Sequence, residues 1–209
     1  MRIVVVGAAG MVGSRVVSEA ANRGHDLVAV FRRTRPVSPP GVVLVEGDAD
    51  DSGHMAGLFD GADAVVVATR PAPGREHTVA ATTTALLDAA AKADARVLVV
   101  GGASPLRTPA DPGLLVLDSP RYVPPEVRTI AAASAAQLDA CLAHPARWVY
   151  LSPPALLEPG TRTGEYRRGT TTLIADADGT SRISAEDLAV AVLDELENPC
   201  GDRHLTVGY

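Results

Sequence analysis

Short runs of β-branched and apolar residues alternate along the chain with stretches in which apolar residues recur at helical spacing. The first run is Arg2–Val6, a helical stretch follows from about Gly10 to Arg23, and a second run occupies Leu27–Phe31. A strand, a helix and a strand in this order predict a βαβ unit with parallel strands and a right-handed crossover. Further strands are predicted at 42–46, 63–68, 96–100, 148–151 and 204–207, and further helices through Leu58 and Phe59 and at 75–93, 126–142 and 184–196.

This alternation of strands and helices predicts an α/β protein. Its 209 residues fit one domain, 1–209, and are enough to bury a sizeable core. Two segments, about 102–125 and 152–183, are rich in turn residues and show no sustained helical or strand periodicity. Because long loops in a compact domain are usually functional or mobile, we expect both segments to lie on the substrate side of the fold.

Three glycines, Gly7, Gly10 and Gly13, follow the first predicted strand and open the first predicted helix. Gly7 leaves the strand where a Cβ atom would obstruct the turn, Gly10 lets backbone N–H groups approach phosphate oxygens, and Gly13 lets the helix lie close to the sheet. Because the positive end of the helix would face an anion, the motif predicts a pyrophosphate site. Its GxxGxxG spacing is one residue longer than the GxGxxG fingerprint, and a tight connection without a ligand is the alternative interpretation.

The residues after the second predicted strand indicate which dinucleotide is bound. A carboxylate at this point of an NAD site accepts hydrogen bonds from the ribose 2′-hydroxyl, whereas this chain has Arg32 and Arg33. Guanidinium groups match the geometry of phosphate oxygens, so the pair predicts NADP(H), with Arg32 as the first contact. A solvated basic loop is the alternative, and it suits Arg35, just before Pro36, better than the other two.

The ends of the next strands carry further candidate cofactor contacts, because ligands of open α/β sheets bind beyond the carboxyl ends of the strands. Asp48 is a candidate contact for the adenine, although Asp48, Asp50 and Asp51 could equally cap the helix that follows. Thr69 and Arg70 are expected to border the central part of the cofactor.

Two glycines and a serine follow the fifth predicted strand. Gly101 and Gly102 would let a backbone segment or a nicotinamide ring come close, and Ser104 is the nearest hydroxyl. A structural turn serine is an equally good interpretation of Ser104.

Composition narrows the possible functions. A net charge of −6 and a pI near 5.3 argue against a general nucleic-acid-binding surface. Cys141 and Cys200 are too few and too far apart for a disulfide framework, and the five scattered histidines predict no metal site. With no apolar run long enough to span a bilayer and no leader pattern before the first strand, we expect a soluble, cytoplasmic protein that binds neither nucleic acid nor membrane.

Taken in order, eight stretches spread over nearly the whole chain carry a resemblance to a known family. The stretches are Gly7–Gly13, Phe31–Arg33, Gly47–Asp48, Ala68–Arg70, Val100–Ala103, Ser152–Pro154, Arg162–Tyr166 and Ser181–Asp187. The chain resembles the atypical short-chain dehydrogenase/reductases, in the NAD(P)H-binding and NmrA-like group that includes biliverdin reductase B type flavin reductases.

The resemblance implies a Rossmann-like, doubly wound parallel sheet with helices on both faces and a small irregular C-terminal substrate lobe. It implies that the glycine loop binds the cofactor, that the arginine after the second strand binds the 2′-phosphate, and that later loops frame the nicotinamide. The cofactor-binding residues predicted in this way and from the residues themselves are Gly7, Ala9, Gly10, Met11, Val12, Arg32, Arg33, Asp48, Ala68, Thr69, Arg70, Gly101, Gly102 and Pro153.

The chemistry of the superfamily carries over less well than its cofactor site. Its usual catalytic pair is a tyrosine with a lysine four residues later, which lowers the pKa of the phenol. This chain has one lysine, Lys92, and none of its tyrosines has a lysine four residues later. Flavin-reductase relatives carry a Thr-Ser pair where this chain has Gly101 and Gly102. The catalytic residues are therefore unknown, with Ser104 and Tyr166 as candidates; Arg162 and Tyr166 either line an acceptor pocket or stabilise the irregular lobe.

Two functions of different class follow. The first is an NADPH-dependent oxidoreductase that passes hydride to a small acceptor needing little acid help, such as a flavin or a quinone. The second is a non-catalytic NADP(H) sensor of the NmrA-like kind, whose nucleotide state would control a protein partner.

Overall fold

An eight-stranded sheet forms the centre of the computed structural model, which describes residues 1–209. The chain has ten strands, of which all but β7 and β9 belong to this sheet. They are β1 Arg2–Val6, β2 Asp26–Phe31, β3 Val43–Glu46, β4 Ala64–Val67, β5 Arg96–Val100, β6 Trp148–Ser152, β7 Leu156–Glu158, β8 Arg167–Gly169, β9 Arg182–Ser184 and β10 His204–Gly208. The helices are α1 Met11–Asn22, α2 Ser52–Phe59, α3 Val79–Lys92, α4 Arg128–Leu142 and α5 Ala185–Glu197. The strand order is β3-β2-β1-β4-β5-β6-β10-β8, and every neighbouring pair is parallel except β10 with β8.

Helices cover both faces of this sheet, which explains why its strands read as continuous apolar runs. On β1, Ile3 and Val5 pack in the core shared with α1 and α5, whereas Val4 and Val6 pack in the core shared with α2, α3 and α4. The predicted Rossmann-like, doubly wound fold is therefore confirmed. Strand order reverses between β1 and β4, and this switch point opens a crevice at the carboxyl ends of the strands.

The two segments predicted to be irregular differ from each other. Segment 102–125 contains a 3₁₀ turn at Val116–Asp118, and a small separate core joins three of its residues to Leu173 of the second segment. Segment 152–183 is more regular than expected, because it contains β7, β8 and the first two residues of β9. Strands β7 and β9 form a parallel two-stranded sheet, and β8 adds an antiparallel edge to the main sheet. Strands of three residues are too short to show a sequence period, so the pattern could not reveal them.

The buried carboxylate of Asp187, in the first turn of α5, holds part of the second segment in place. It accepts hydrogen bonds from the backbone N–H groups of Thr163 and Gly164, both at 2.8 Å, and from the hydroxyls of Thr163 and Tyr209, both at 2.6 Å. Burial acts to raise the pKa of Asp187, but these hydrogen bonds outweigh it and the pKa lies below its ordinary value. The segment is thus anchored through an ionised, fully bonded carboxylate.

None of the five helices has the length and apolarity needed to cross a membrane.

Candidate functional site

The glycine-rich turn between β1 and α1 is packed too closely for larger residues at two positions. Gly7 has a φ of +90°, and a Cβ atom on it would lie 2.5 Å from the carbonyl oxygen of Ala68, at the end of β4. A Cβ atom on Gly13 would lie 2.1 Å from the carbonyl oxygen of Gly7. Gly13 therefore lets α1 begin directly against the turn, and that contact holds the start of the helix at the switch point.

The first turn of α1 is free to receive an anion. Gly10 is the N-cap residue and offers no side chain to the helix, and the first turn contains no acidic residue. The first backbone N–H groups of a helix have no partner within it, and they carry the positive end of its dipole. Phosphate or another anion could satisfy these groups.

A cleft of about 930 Å³ runs along the carboxyl ends of the strands from this turn. It is lined by all the residues predicted to bind the cofactor, which are Gly7, Ala9, Gly10, Met11, Val12, Arg32, Arg33, Asp48, Ala68, Thr69, Arg70, Gly101, Gly102 and Pro153. Ser104 also lines it. The topology thus brings together residues that are up to 146 positions apart, from Gly7 to Pro153.

Three arginines of the cleft, Arg32, Arg33 and Arg70, are exposed and form no ion pair or side-chain hydrogen bond with the protein. Arg75, by contrast, lies 3.9 Å from the carboxylate of Asp50. Guanidinium groups without a carboxylate partner are available to an anionic ligand.

The three acidic residues after β3 have different roles, and this separates the two that the sequence left open, an adenine contact and a helix cap. Asp51 caps α2 by accepting a hydrogen bond from the backbone N–H of His54 at 3.0 Å. Asp50 accepts a hydrogen bond from the hydroxyl of Thr82 at 2.5 Å. Asp48 accepts one from the backbone N–H of Asp50 at 3.2 Å and lines the cleft. The helix cap is therefore Asp51, and Asp48 keeps a carboxylate oxygen for a ligand.

Ser104 lies in the wall of the cleft, and its hydroxyl already has a partner. The side chain is buried, and its O–H donates to the carbonyl oxygen of Ala131 in α4 at 2.6 Å. This bond ties the loop after β5 to α4. A structural role for the hydroxyl therefore fits better than a role as proton donor.

The position of Tyr166 favours one of the two interpretations that the sequence left open, namely that it stabilises the irregular lobe rather than lining an acceptor pocket. It is not among the residues of the cleft, and its hydroxyl donates to Asp194 of α5 at 2.6 Å. Burial, then the bond to Asp194, raises the pKa of Tyr166 above its ordinary value. Arg162 also lies outside the cleft and forms a bidentate pair with Glu19 at 2.8 Å for both bonds. The segment 162–166 is held against α1 and α5 by these carboxylates, on the other face of the sheet from α4.

A polar group that the sequence did not reveal lies beneath the two glycines after β5. A Cβ atom on Gly101 would lie 2.0 Å from the hydroxyl oxygen of Tyr150, and one on Gly102 would lie 2.7 Å from Oγ of Ser134. The Tyr150 hydroxyl donates to the carbonyl oxygen of Ser134 at 2.9 Å and lies 3.1 Å from its Oγ. Ser134 and Gln137, one helical turn apart on α4, both line the cleft.

Burial raises the pKa of Tyr150 well above its ordinary value, although hydrogen bonds with Ser134 and with the backbone of Gly102 act in the opposite direction. Tyr150 therefore stays protonated and serves as a fixed hydrogen-bonding partner for Ser134. The two successive glycines are the only sequence signal of this arrangement. Both line the cleft, as the predicted approach of a nicotinamide ring requires, and the side chains of Tyr150 and Ser134 occupy the space that their Cβ atoms would take.

Comparison with known proteins gives a family for this fold and cleft. The model of a family described as NAD(P)H-binding matches residues 7–199. The uncharacterized protein YwnB of Bacillus subtilis strain 168 is 37% identical over 202 residues, which cover 95% of this chain and 93% of YwnB.

Two solved structures with names of different activity share the fold of this chain over its whole length. A crystal structure from Bacteroides thetaiotaomicron, described as a candidate epimerase, is 35% identical with a TM-score of 0.90 and covers 100% of this chain and 96% of its own. A crystal structure from Streptococcus pneumoniae, described as a candidate NADH-flavin reductase, is 27% identical with a TM-score of 0.89 and covers 100% of this chain and 99% of its own.

Proposed function

The chain belongs to the NAD(P)H-binding family, as the resemblance implied, and from that premise we propose that it is a reductase that takes hydride from NADPH. The acceptor would be a small molecule such as a flavin or a quinone. When bound, the cofactor would supply the hydride, so that NADPH, the oxidised acceptor and a proton are consumed and NADP⁺ and the two-electron-reduced acceptor are formed.

The observation that carries this proposal is the distribution of charge along the cleft. Every charged residue that lines it follows β2, β3 or β4; these residues are Arg32, Arg33, Asp48, Asp50, Arg70 and Arg75. The lining residues from β5 onward include no Asp, Glu, Lys, Arg or His. One half of the cleft therefore suits the phosphates and riboses of a dinucleotide, and the other half suits an uncharged ring system.

The preference for NADPH rests on Arg32 and Arg33. Both are exposed, both line the cleft, and neither has a carboxylate partner. Each charge-assisted hydrogen bond from a guanidinium contributes roughly 1.5–3 kcal/mol, so one or two bonds to a 2′-phosphate would favour NADPH over NADH by at least about tenfold. Arg70 and the first turn of α1 would bind the pyrophosphate.

The nature of the acceptor follows from what the second half of the cleft lacks. Lys92 is the last residue of α3 and does not line the cleft, and Tyr122 is the only ionisable side chain among the lining residues from β5 onward. Hydride transfer to a flavin or a quinone needs little help from a protein acid, and the remaining task of the site is to position the reactants. The similarity to the candidate NADH-flavin reductase of Streptococcus pneumoniae supports this class of reaction. The epimerase description is less compatible with this half of the cleft, because its one ionisable side chain, Tyr122, donates its proton to the carbonyl oxygen of Gly179.

A titration of the purified protein with NADPH, followed in the same cuvette by an acceptor panel, tests the proposal. The panel would contain riboflavin, FMN, menadione and duroquinone, and absorbance at 340 nm would report consumption of NADPH. We expect NADPH binding and acceptor-dependent loss of absorbance above the rate of protein-free controls. Binding with no turnover of any acceptor would favour the sensor, and binding of neither NADPH nor NADH would overturn the interpretation of the glycine turn.

A further inference from the structure

The half of the cleft beyond β5 differs from the cofactor half in having almost no groups that can hold a charge. Its walls are formed by residues that come from the loop after β5, from α4 and from the segment after β6. They are Val100, Gly101, Gly102, Ala103, Ser104, Val116, Tyr122, Val123, Val127, Ile130, Ala131, Ala133, Ser134, Gln137, Pro153, Pro154, Ala155 and Leu157. Most are apolar and none is charged; the guanidinium of Arg121 lies 5.7 Å from the ring of Tyr122, but Arg121 does not itself line the cleft.

Ser134 differs from the other two hydroxyl side chains in this half, because the only partner of its Oγ, the Tyr150 hydroxyl, can itself be the donor. The O–H of Ser104 donates to Ala131, and the O–H of Tyr122 donates to the carbonyl oxygen of Gly179 at 3.3 Å. The hydroxyls of Ser134 and Tyr150 lie 3.1 Å apart, and either of them can be the donor. When a ligand carbonyl accepts the Ser134 proton, the Tyr150 hydroxyl can donate to Oγ of Ser134, so the contact between the two side chains is kept.

The position of Ser134 is also well defined. Its Cβ and Oγ lie against Gly102, where an added methyl group would come within 2.7 Å of Oγ, and its Oγ lies 3.1 Å from the buried Tyr150 hydroxyl. Gln137, one turn further along α4, is held in turn by a hydrogen bond from its Nε2 to the hydroxyl of Thr83 in α3 at 3.1 Å. A half-buried hydroxyl fixed on a helix is a suitable hydrogen-bond donor for one specific ligand atom.

We propose that this half of the cleft selects uncharged aromatic carbonyl compounds, and that Ser134 donates the hydrogen bond that positions their carbonyl oxygen. The inference rests on the proposed function and names the substrate class and the specificity-determining residue of the same site. An acceptor with a negative charge on its ring system would lose hydration in this half without meeting a cation among the residues that line it, which disfavours its binding. An uncharged ring would bury its apolar surface and keep one carbonyl oxygen bonded to Ser134.

Binding of two matched anthraquinones to the whole protein, measured by equilibrium dialysis with and without saturating NADP⁺, tests this selection. The probes are 2-(hydroxymethyl)anthraquinone, which is neutral, and anthraquinone-2-sulfonate, which carries a ring-attached charge. Both have fused rings that leave no quinone position open to addition by the exposed thiol of Cys200. We expect the neutral compound to bind with a Kd about tenfold lower or better, since an unpaired charge in an apolar site is disfavoured. Equal affinities, or tighter binding of the sulfonate, would overturn the proposed selection.

A serine-to-alanine substitution tests the role of Ser134. Ser134→Ala should raise the Kd of the neutral compound about fivefold, the effect of losing one neutral hydrogen bond. Ser18→Ala is the matched control, because Ser18 is an exposed helical serine of α1 whose hydroxyl bonds to the carbonyl oxygen of Ser14, outside the cleft. The Ser18→Ala protein should bind the neutral compound with the same Kd as the wild type. An unchanged Kd in Ser134→Ala, with an unchanged melting temperature, would remove Ser134 from the proposal.

This experiment separates the inference from the proposed function. Loss of absorbance at 340 nm without any charge selection would leave the reductase in place and refute the selective subsite. Charge-selective binding that depends on Ser134, in a protein that oxidises NADPH with none of the acceptors, would support the subsite and refute the reductase.

Discussion

Gly101 follows β5, and the side chain of Tyr150, in the middle of the neighbouring strand β6, extends to it: a Cβ atom on Gly101 would lie 2.0 Å from both the Tyr150 hydroxyl oxygen and the ring carbon that bears it. Tyr150 is fully buried, and Gly101 donates its backbone N–H to the carbonyl oxygen of Leu151 at 3.0 Å. Moving Gly101 away would break this hydrogen bond at the end of β5, and the buried ring of Tyr150 is packed on all sides. The glycine therefore makes room for the tyrosine, and the tyrosine holds Ser134 in the cleft.

Replacing Gly101 by alanine should destabilise the protein by about 1–3 kcal/mol or more, because extra atoms in a packed core force neighbouring groups to shift. Urea unfolding at neutral pH would measure the loss. Gly57→Ala is the control: Gly57 lies in α2, nothing lies within 4 Å of its Cβ position, and alanine in a helix interior is more favourable than glycine by up to about 1 kcal/mol. A Gly101→Ala protein as stable as the wild type would contradict the packing described for Tyr150.

Arg32→Ala should reduce the preference for NADPH over NADH by about tenfold or more, because it removes a charge-assisted contact that only the 2′-phosphate can accept. Fluorescence titration with both cofactors measures this ratio. Arg35→Ala is the matched control, since Arg35 lies three residues further on and does not line the cleft. Equal loss of affinity for NADPH and NADH in Arg32→Ala would show that Arg32 contacts a group that both cofactors have, and not the 2′-phosphate.

Asp187→Asn should destabilise the protein by about 3 kcal/mol at pH 7, because the amide nitrogen cannot accept the hydrogen bonds that the carboxylate receives. Since folding lowers the pKa of Asp187, its contribution to stability is present above the unfolded pKa, about 3.9, and is lost as the pH falls through the folded value. The difference in urea midpoint between wild type and variant should therefore narrow as the pH falls below about 4.

Asp26→Asn provides the comparison for this pH series. Asp26 is the exposed first residue of β2, and its side chain makes no hydrogen bond or ion pair. The substitution should leave the urea midpoint at pH 7 close to that of the wild type. A constant difference between the wild type and Asp187→Asn from pH 7 to pH 3 would show that hydrogen bonding to the ionised carboxylate does not stabilise the segment 163–164.

The parts of the molecule that could be predicted from its sequence are those that local patterns determine. The apolar run Arg2–Val6 is continuous because the strand is buried on both faces, and the helical spacing after Gly10 arises because the helix is buried on one face. Both patterns can be recognised in the local sequence. Once the strands are parallel, their carboxyl ends meet at one edge. The positions of Arg32, Thr69 and Gly101 along one cleft then follow from the topology.

The parts that could not be predicted depend on contacts between distant residues. Tyr166 lies outside the cleft and donates its hydroxyl to Asp194, which is 28 positions later in the chain. No local sequence pattern indicates that pair. Ser134 and Tyr150 meet beneath Gly101 and Gly102 only because α4 packs beside β6. Neither residue type is unusual in its own segment, so the polar group they form was not visible in the sequence.

An anaerobic single turnover in a stopped-flow instrument tests whether the protein transfers hydride from NADPH to a quinone. Protein in excess over NADPH would be mixed with duroquinone, once with ordinary NADPH and once with NADPH deuterated at both C4 positions. We expect loss of one NADPH for each quinone reduced, at a rate that exceeds the protein-free rate and falls on deuteration because the C4–H bond breaks on the protein. An NADPH absorbance that stays constant after mixing, in a protein shown to bind NADPH, would overturn the proposed reductase and leave a nucleotide-binding protein without this activity.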